Sequence, residues 1–229
     1  MNNVIGLIPA RRGSKRVKGK NMALLNGKPL LQYAIESAKE SKIFREIVVS
    51  SDWDECLALA DALGVSCLCR PPELCQDASH DFEWVSHALG EFPGFDIFAI
   101  LRPTSPFRTS FTILKAFFEF SMNKCDSLRA VEKTRSHPGK SWVLFNGYMM
   151  PVMDTKIGGF PSYDLSTQAL GDVYCQNGCI HIAHTYVLEK YHNVSGELIR
   201  PYFTTDREAI DINDPEDLEF AEWIMRGKP

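Results

Sequence analysis

Short apolar runs alternate with helical patterns along most of the chain. Val4 to Ile8 is a nearly continuous apolar run of the kind that forms a strand buried on both faces, and a polar loop from Pro9 to Asn21 follows it. Pro29 opens a helix whose apolar positions are Leu30, Ala34, Ile35 and Ala38. Ile47 to Val49 is β-branched and strand-like, and a helix is expected from Asp54 to Leu63. Val65 to Cys69 is a third strand, and the polar loop Arg70 to His80 leads into a helix through Leu89. The strand Ile97 to Leu101 precedes Pro103-Thr104-Ser105-Pro106, after which Phe111 to Met122 reads as helix and Ser127 to Val131 as extended. A strand at Cys179 to Ala183, a short helix from Thr185 and a closing helix end the pattern. Asp214 is placed to cap that last helix, with Pro215 at its first position and Asp217 three residues after the cap.

Strands alternating with helices predict βαβ units, and so an α/β protein with a doubly wound, mainly parallel sheet. In such sheets the ligand crevice lies beyond the carboxyl ends of the strands. The most polar segments, at Ala10, Asp52, Arg70 and Arg102, all follow predicted strands. The stretch 133–172 breaks the rhythm with Pro138, Pro151, Gly158-Gly159 and Pro161 among scattered apolar residues such as Trp142, Phe145 and Tyr148. It reads as an excursion from the sheet, either an arm that packs against another subunit or a long surface loop. Phe117, Phe118 and Phe120 read as helix core, and His181 and His184 as structural residues near a strand end. No second domain, internal repeat or low-complexity segment stands out.

Composition narrows the class. With 45% hydrophobic and 24% charged residues over 229 positions, the chain has the make-up of a globular domain. No run approaches the roughly 20 apolar residues of a membrane helix, so no membrane partner is expected. Seven cysteines are an odd number, and Met1 to Ile5 lacks the pattern of an export signal, so reduced thiols in a cytoplasm are expected. A formal charge of −4 argues against general nucleic-acid binding.

Against that acidic background the loop after the first strand is basic: Arg11, Arg12, Lys15, Arg16, Lys18 and Lys20 lie within it. Ala10, Gly13, Ser14 and Gly19 are small enough to let backbone N–H groups approach an anion, while the Arg and Lys side chains supply charge and forked donors. These are the demands of a triphosphate. The Walker A order is missing, and a solvated basic loop, a nuclear-localisation signal or a nucleic-acid patch is the competing reading.

The run Ile8-Pro9-Ala10-Arg11-Arg12-Gly13-Ser14-Lys15, closed by Lys20-Asn21, resembles the amino-terminal signature of the CMP-N-acetylneuraminate synthetases, the acylneuraminate cytidylyltransferases. The similarity continues at Gly27-Lys28-Pro29-Leu30, Ile47 to Asp52, Arg70-Pro71-Pro72-Glu73-Leu74, Pro103-Thr104-Ser105-Pro106, Asn177-Gly178 and Asp211-Ile212-Asn213, and so covers nearly the whole chain in order.

The resemblance implies a Rossmann-like nucleotidyltransferase of residues 1–229, with 133–172 as a dimerisation excursion that reaches toward a neighbour's site in a homodimer. It implies transfer of CMP from CTP to the anomeric hydroxyl of a nine-carbon 2-keto sugar acid, with release of pyrophosphate. Arg11, Lys15 and Lys20 are then expected to hold the triphosphate, and Ala10, Gly13, Ser14, Asn21 and Arg70 to position the nucleotide. The segment Asp77 to Asp81 is expected to read cytosine, with Ser79 or Asp81 as side-chain candidates, although Asp81 is equally placed to cap a helix. Asp211 and Asn213 are expected to follow a strand, face the same side and hold Mg²⁺, or Mn²⁺, against the phosphates. The related pattern is often D-x-D, and Asn213 brings no charge.

On the sugar side Arg102 stands where the family commonly has Gln, and no Arg precedes Asn177-Gly178. Arg102 is expected either to anchor the sugar carboxylate or to pair with a buried acid. Thr104, Gln176 and Asn177 are expected to contact the sugar, although Asn177-Gly178 is also a plain turn signal. Legionaminate, pseudaminate or the eight-carbon acid of lipopolysaccharide are alternative acceptors, and a nucleotide-binding module without catalysis is an alternative of a different class.

Overall fold

The structure is a computed structural model that describes residues 3–13, 16–134, 136–205 and 207–227. Strand β1 (Val4–Pro9) is followed by the short pair β2 (Leu24–Leu25) and β3 (Lys28–Pro29) and by helix α1 (Leu30–Ser41). Then come β4 (Glu46–Ser51), α2 (Asp54–Ala62), β5 (Ser66–Cys69), α3 (Asp81–Glu91), β6 (Ile97–Ile100), α4 (Ser110–Met122) and β7 (Ser127–Lys133). The short strands β8 (Trp142–Phe145), β9 (Tyr148–Pro151), β10 (Lys156–Ile157) and β11 (Phe160–Pro161) precede β12 (Tyr174–His184), α5 (Tyr186–Tyr191), β13 (Ile199–Phe203) and α6 (Pro215–Met225).

The main sheet runs β13-β7-β12-β6-β1-β4-β5. β6, β1, β4 and β5 are mutually parallel, and β12 joins antiparallel beside β6. From β1 the chain moves through α1 to β4 on one side, and later returns through α3 to β6 on the other. The neighbours β1 and β6 therefore flank the point where the winding reverses, and their carboxyl ends open a crevice there.

β1 is buried from Val4 to Ile8 because both faces of the sheet are covered. Val4 and Ile8 face a core that includes Leu31 and Ile35 of α1, Ala60 of α2 and Ile113 and Phe120 of α4. Ile5 and Leu7 face the other core, with Trp84 and Val85 of α3 and Val187 of α5. A third, smaller core joins Leu25 and Leu30 to Ile212 and to Ala221 of α6. The cap of α6 forms as its sequence dictates: Asp217 N donates to Asp214 Oδ1 at 2.9 Å and Asp214 N donates to Asp217 Oδ2 at 3.2 Å.

Val131–Gln176 is a separate compact unit. It contains two hairpins, β8–β9 and β10–β11. Their tight turns are Asn146-Gly147 (φ 49° and 82°) and Gly158-Gly159 (φ 60° and 87°), pairs that tolerate the left-handed conformations such turns need. Leu144, Phe145, Tyr148 and Met149 all lie in exposed positions.

Several local expectations change. Phe120 is core, but Phe118 is 65% exposed, because the outer face of α4 carries it to solvent. Asn177-Gly178 is not a turn: both residues lie inside β12. Asp211 and Asn213 do not directly follow a strand, since β13 ends at Phe203 and the chain makes a turn before reaching them.

Candidate active site

A cavity of about 610 Å³ opens beyond the carboxyl ends of the parallel strands. Pro9 at the end of β1 and Arg11, Arg16, Lys20 and Asn21 after it line the cavity, with Arg70, Leu74, Gln76, Asp77 and Ser79 from the segment after β5, Asp81 and Trp84 from α3, and Arg102 to Thr104 from the segment after β6. Asp211 and Asn213 complete the wall.

The basic loop and the segment before α6 meet directly. Lys20 Nζ donates to Ile212 O at 3.0 Å, and Arg16 Nη2 donates to Asn213 Oδ1 at 3.3 Å. Burial pushes the Lys20 ammonium below its ordinary value, while the neighbouring Asp211 carboxylate opposes that shift. Ile212 is fully buried in the third core, and its N–H donates to Thr104 O at 2.8 Å. That anchor leaves Asp211 and Asn213 together on the cavity side, with Asn213 Nδ2 donating to Asp211 Oδ2 at 3.0 Å.

The other oxygen, Asp211 Oδ1, is buried with no hydrogen-bond partner among the described residues, as is Ser105 Oγ. Both lie against Gly178, where a Cβ would come within 3.2 Å of each. The close approach explains the glycine inside β12. Asp211 thus offers one free hard oxygen beside Lys20, which suits a divalent cation shared with phosphates. Asn213 directs its amide oxygen to Arg16 and its N–H to Asp211. Among the described residues no group of three or more His, Cys, Asp or Glu side chains could hold a metal, so an ion here would depend on ligand oxygens as well.

Arg11 donates from Nη1 to Cys75 O at 3.1 Å and pairs with Asp77 Oδ1 at 3.1 Å, which ties the loop after β1 to the segment after β5. Asn21 is buried and donates from Nδ2 to Arg11 O at 2.9 Å, fixing the loop's return. Ala10 is fully buried; its N–H donates to Ser50 O at 2.9 Å and its carbonyl accepts from Ser51 Oγ at 2.6 Å. Ala10 therefore presents no free N–H to the crevice. Gly13 is exposed with open space around it, while Ser14 and Lys15 lie outside the described residues.

Arg70 is 3% exposed, donates from Nε to Ser50 Oγ and from Nη2 to Ser50 O, both at 3.0 Å, and lies 4.7 Å from the centre of the Trp84 ring. Burial pushes its guanidinium down to about 10. Ser79 lines the cavity but locks its own turn, accepting from Gln76 N and donating to Glu73 O, each at 3.1 Å.

Asp81 is the first residue of α3 rather than its cap; His80 occupies the cap position, and its N–H donates to Glu83 Oε2 at 3.1 Å. Asp81 instead accepts from Arg102 Nη2 at 2.5 Å and from Trp84 Nε1 at 2.9 Å. Burial opposes the carboxylate's charge, but Arg102 and the indole N–H outweigh it and hold Asp81 below its ordinary value. Of the two expectations for Arg102, pairing with an acid is realised. Behind it, buried Arg108 donates from Nη1 to Arg102 O at 3.0 Å and to Cys179 O at 2.8 Å, joining the loop after β6 to β12. Asn177 is engaged within the fold, donating to Thr204 Oγ1 at 3.0 Å and accepting from Cys179 N at 3.2 Å. Gln176 belongs to the separate unit.

Arg16, Trp84, Ser105, Arg108 and Gly178 are the site residues that sequence reasoning passed over. Arg16 was visible within the basic run, and Ser105 within the Pro-Thr-Ser-Pro motif. Nothing in the pattern marks Trp84, which reads as one more apolar position of a helix.

The sequence model described as cytidylyltransferase matches residues 5–136, more than half of the chain. This chain belongs to the cytidylyltransferase family. Within that family it is 33% identical to the N-acylneuraminate cytidylyltransferase of Escherichia coli O18:K1:H7 over 98% of its own length and 52% of that relative's. It is 30% identical to the CMP-N,N'-diacetyllegionaminic acid synthase of Legionella pneumophila, covering 97% of this chain and 96% of that protein. The chain therefore spans about half the length of the E. coli relative and nearly all of the Legionella one. A solved CMP:2-keto-3-deoxy-manno-octonic acid synthetase, complexed with CTP, superposes with a TM-score of 0.73 at 16% identity, over 98% of this chain and 99% of that one. That likeness establishes the shared cytidylyltransferase fold.

His181 yields a pH prediction. It is buried, with Arg129 Nη2 3.4 Å from its Nδ1, and burial followed by that guanidinium pushes its imidazole down to about 3. The native ring stays neutral where the unfolded ring takes a proton below about pH 6.5. Its stabilising contribution is whole above that pH and declines as pH falls toward the native value. Between about pH 7 and about pH 5, the urea midpoint of the wild-type protein should drop more than that of His181→Asn. Equal drops would contradict the buried, neutral assignment.

Proposed function

We propose that this chain transfers CMP from CTP to the anomeric hydroxyl of a sialic-acid-like nine-carbon 2-keto sugar acid and releases pyrophosphate. The meeting of Lys20 and Arg16 with the Asp211-Ile212-Asn213 segment, in a cavity also lined by Leu74, Gln76, Asp77, Ser79 and Asp81, carries this reading. A cytidine triphosphate needs cations along its phosphates, an acid able to share a metal, and a shaped surface for its base; these three walls supply them.

In this reading the sugar hydroxyl oxygen forms a bond to the α-phosphorus and gives up its proton to solvent, while the bond from the α-phosphorus to the oxygen bridging it to the β-phosphate breaks and pyrophosphate leaves. Negative charge grows on the departing pyrophosphate, so positioning and electrostatic stabilisation carry the catalysis. Lys20, half-buried and fixed by Ile212 O, presents its ammonium to that charge. Arg11 shapes the base-side wall through Asp77 and Cys75, and Arg70 holds the nucleotide end from below. Mg²⁺ would be held by Asp211 Oδ1 together with phosphate oxygens, where it would neutralise phosphate charge. Arg102 and Thr104 face the sugar.

Legionaminate and pseudaminate are the acceptors to set beside neuraminate. Relatives of this chain's own size carry those names: besides the Legionella protein, the pseudaminic acid cytidylyltransferase of Campylobacter jejuni is 28% identical over 95% of its length. With CTP, Mg²⁺ and a panel of these acids, at least one should yield a CMP conjugate with stoichiometric pyrophosphate. CTP binding without turnover of any acid would leave a binding module and refute the transferase reading. In the same assay Lys20→Ala should slow turnover by at least roughly tenfold, about 1.4 kcal/mol of barrier, and Asp211→Asn should raise the Mg²⁺ needed for half-activity. An unchanged rate and an unchanged metal titration would remove both residues from the mechanism.

We further propose that the chain acts as a homodimer joined through the Val131–Gln176 unit. The β8–β9 hairpin exposes Leu144, Phe145, Tyr148 and Met149 at 76%, 63%, 77% and 57%, a large apolar surface for a free monomer. Leu144→Glu with Tyr148→Glu should sediment as a monomer while the wild-type chain sediments as a dimer. Wild-type monomers would contradict this.

A further inference from the structure

Trp84 lies on α3 with 3% of its surface exposed, yet it is not merely a core residue. Its ring face carries the Arg70 guanidinium at 4.7 Å, and its edge N–H donates to Asp81 Oδ1 at 2.9 Å. The other Asp81 oxygen accepts from Arg102 Nη2 at 2.5 Å. Arg70 is fixed in turn by two hydrogen bonds to Ser50 at the end of β4. One side chain therefore links the cation after β5 to the cation after β6, on either side of the switch point, and both cations line the same cavity.

The indole performs both tasks at once. A guanidinium stacks on any aromatic face, and the indole adds a donor at the ring edge that phenylalanine lacks. Without that donor Asp81 Oδ1 loses a hydrogen bond inside a half-buried site, and the carboxylate is free to swivel, taking the partner of Arg102 with it. Without the ring, Arg70 loses its stacking surface as well.

We propose that Trp84 is a positioning residue that fixes both substrate subsites at once, holding Arg70 for the nucleotide through its ring face and Arg102 for the sugar acid through its N–H and Asp81. In this role it acts through Arg70 and Arg102 rather than on a reacting group. The inference rests on the placement of CTP and sugar acid given above, and it adds that the two subsites are aligned by a single side chain whose two functions are separable by substitution.

The test is steady-state kinetics with CTP and the sugar acid turned over fastest in the panel. Trp84→Phe keeps the face and removes the donor; it should raise KM for the sugar acid at least roughly fivefold and leave KM for CTP within about twofold. Trp84→Leu removes both and should raise both constants. Because Trp84 acts on the acid through Arg102, Trp84→Phe combined with Arg102→Gln should be no worse for the acid than Arg102→Gln alone. Trp84→Tyr, which keeps an aromatic face but carries its hydroxyl at the ring tip instead of a donor at the indole edge, should show the same split if Trp84→Phe fails to fold. A Trp84→Phe effect on both substrates alike, on neither, or additive with Arg102→Gln would overturn the proposal. If Arg102→Gln itself leaves the acid's KM unchanged, or the wild-type chain turns over no acid, the underlying placement of the substrates fails instead.

Discussion

The hydrogen bond from Lys20 Nζ to Ile212 O, at 3.0 Å, closes the site by joining residues 192 positions apart. A bond from a charged donor is worth about 1.5–3 kcal/mol in favourable settings, more than a neutral one. It also decides geometry. The ammonium is held in a partly desolvated place it would avoid alone, with Asp211 close enough to oppose the shift. A cation and an acid are thereby kept side by side without being consumed by each other, since the Lys20 hydrogen bond goes to a backbone oxygen and one Asp211 oxygen stays unpartnered among the described residues.

That arrangement depends on packing far from the charges. Ile212 is locked into the small core of Leu25, Leu30 and Ala221, so its two neighbours point the other way. Gly178 lets Asp211 and Ser105 sit closer to β12 than is usual beside a Cβ, which would stand 3.2 Å from each. Elsewhere in the cavity lining, Arg11, Asn21, Arg70 and Arg102 all use protein partners to hold their places. The cavity is polar and pre-arranged, with its cations already oriented, which lowers the cost of ordering them around a polyanion.

The mainly parallel sheet and the location of the crevice were legible in the sequence because each rests on a local pattern, whereas the order of the strands emerges only in the fold. A buried run such as Val4 to Ile8 and the Asp214-Pro215-Asp217 cap admit few alternatives. Elsewhere one local signal hid another. Asn146-Gly147 and Gly158-Gly159 mark tight hairpins, yet in a segment rich in Pro and Gly they read as loop. Asn177-Gly178 carries the same kind of signal but lies in β12, where the Asn177 side chain bonds Thr204 and the glycine leaves room for Asp211. β13 was missed because Pro201 interrupts its pattern, and its place at the edge of the sheet is where a residue lacking an N–H is tolerated. The Arg70–Trp84–Asp81–Arg102 chain is tertiary throughout: it exists because three strands end together, and no spacing along the sequence announces it.

The most direct measurement is a structure of the protein with CTP and Mg²⁺ bound. The triphosphate should lie between Lys20 and Asp211, with the cytosine against the segment Leu74 to Asp81 and the α-phosphate turned toward the Arg102 side. CTP bound elsewhere, or in this cavity with its phosphates directed away from Lys20 and Asp211, would contradict the account.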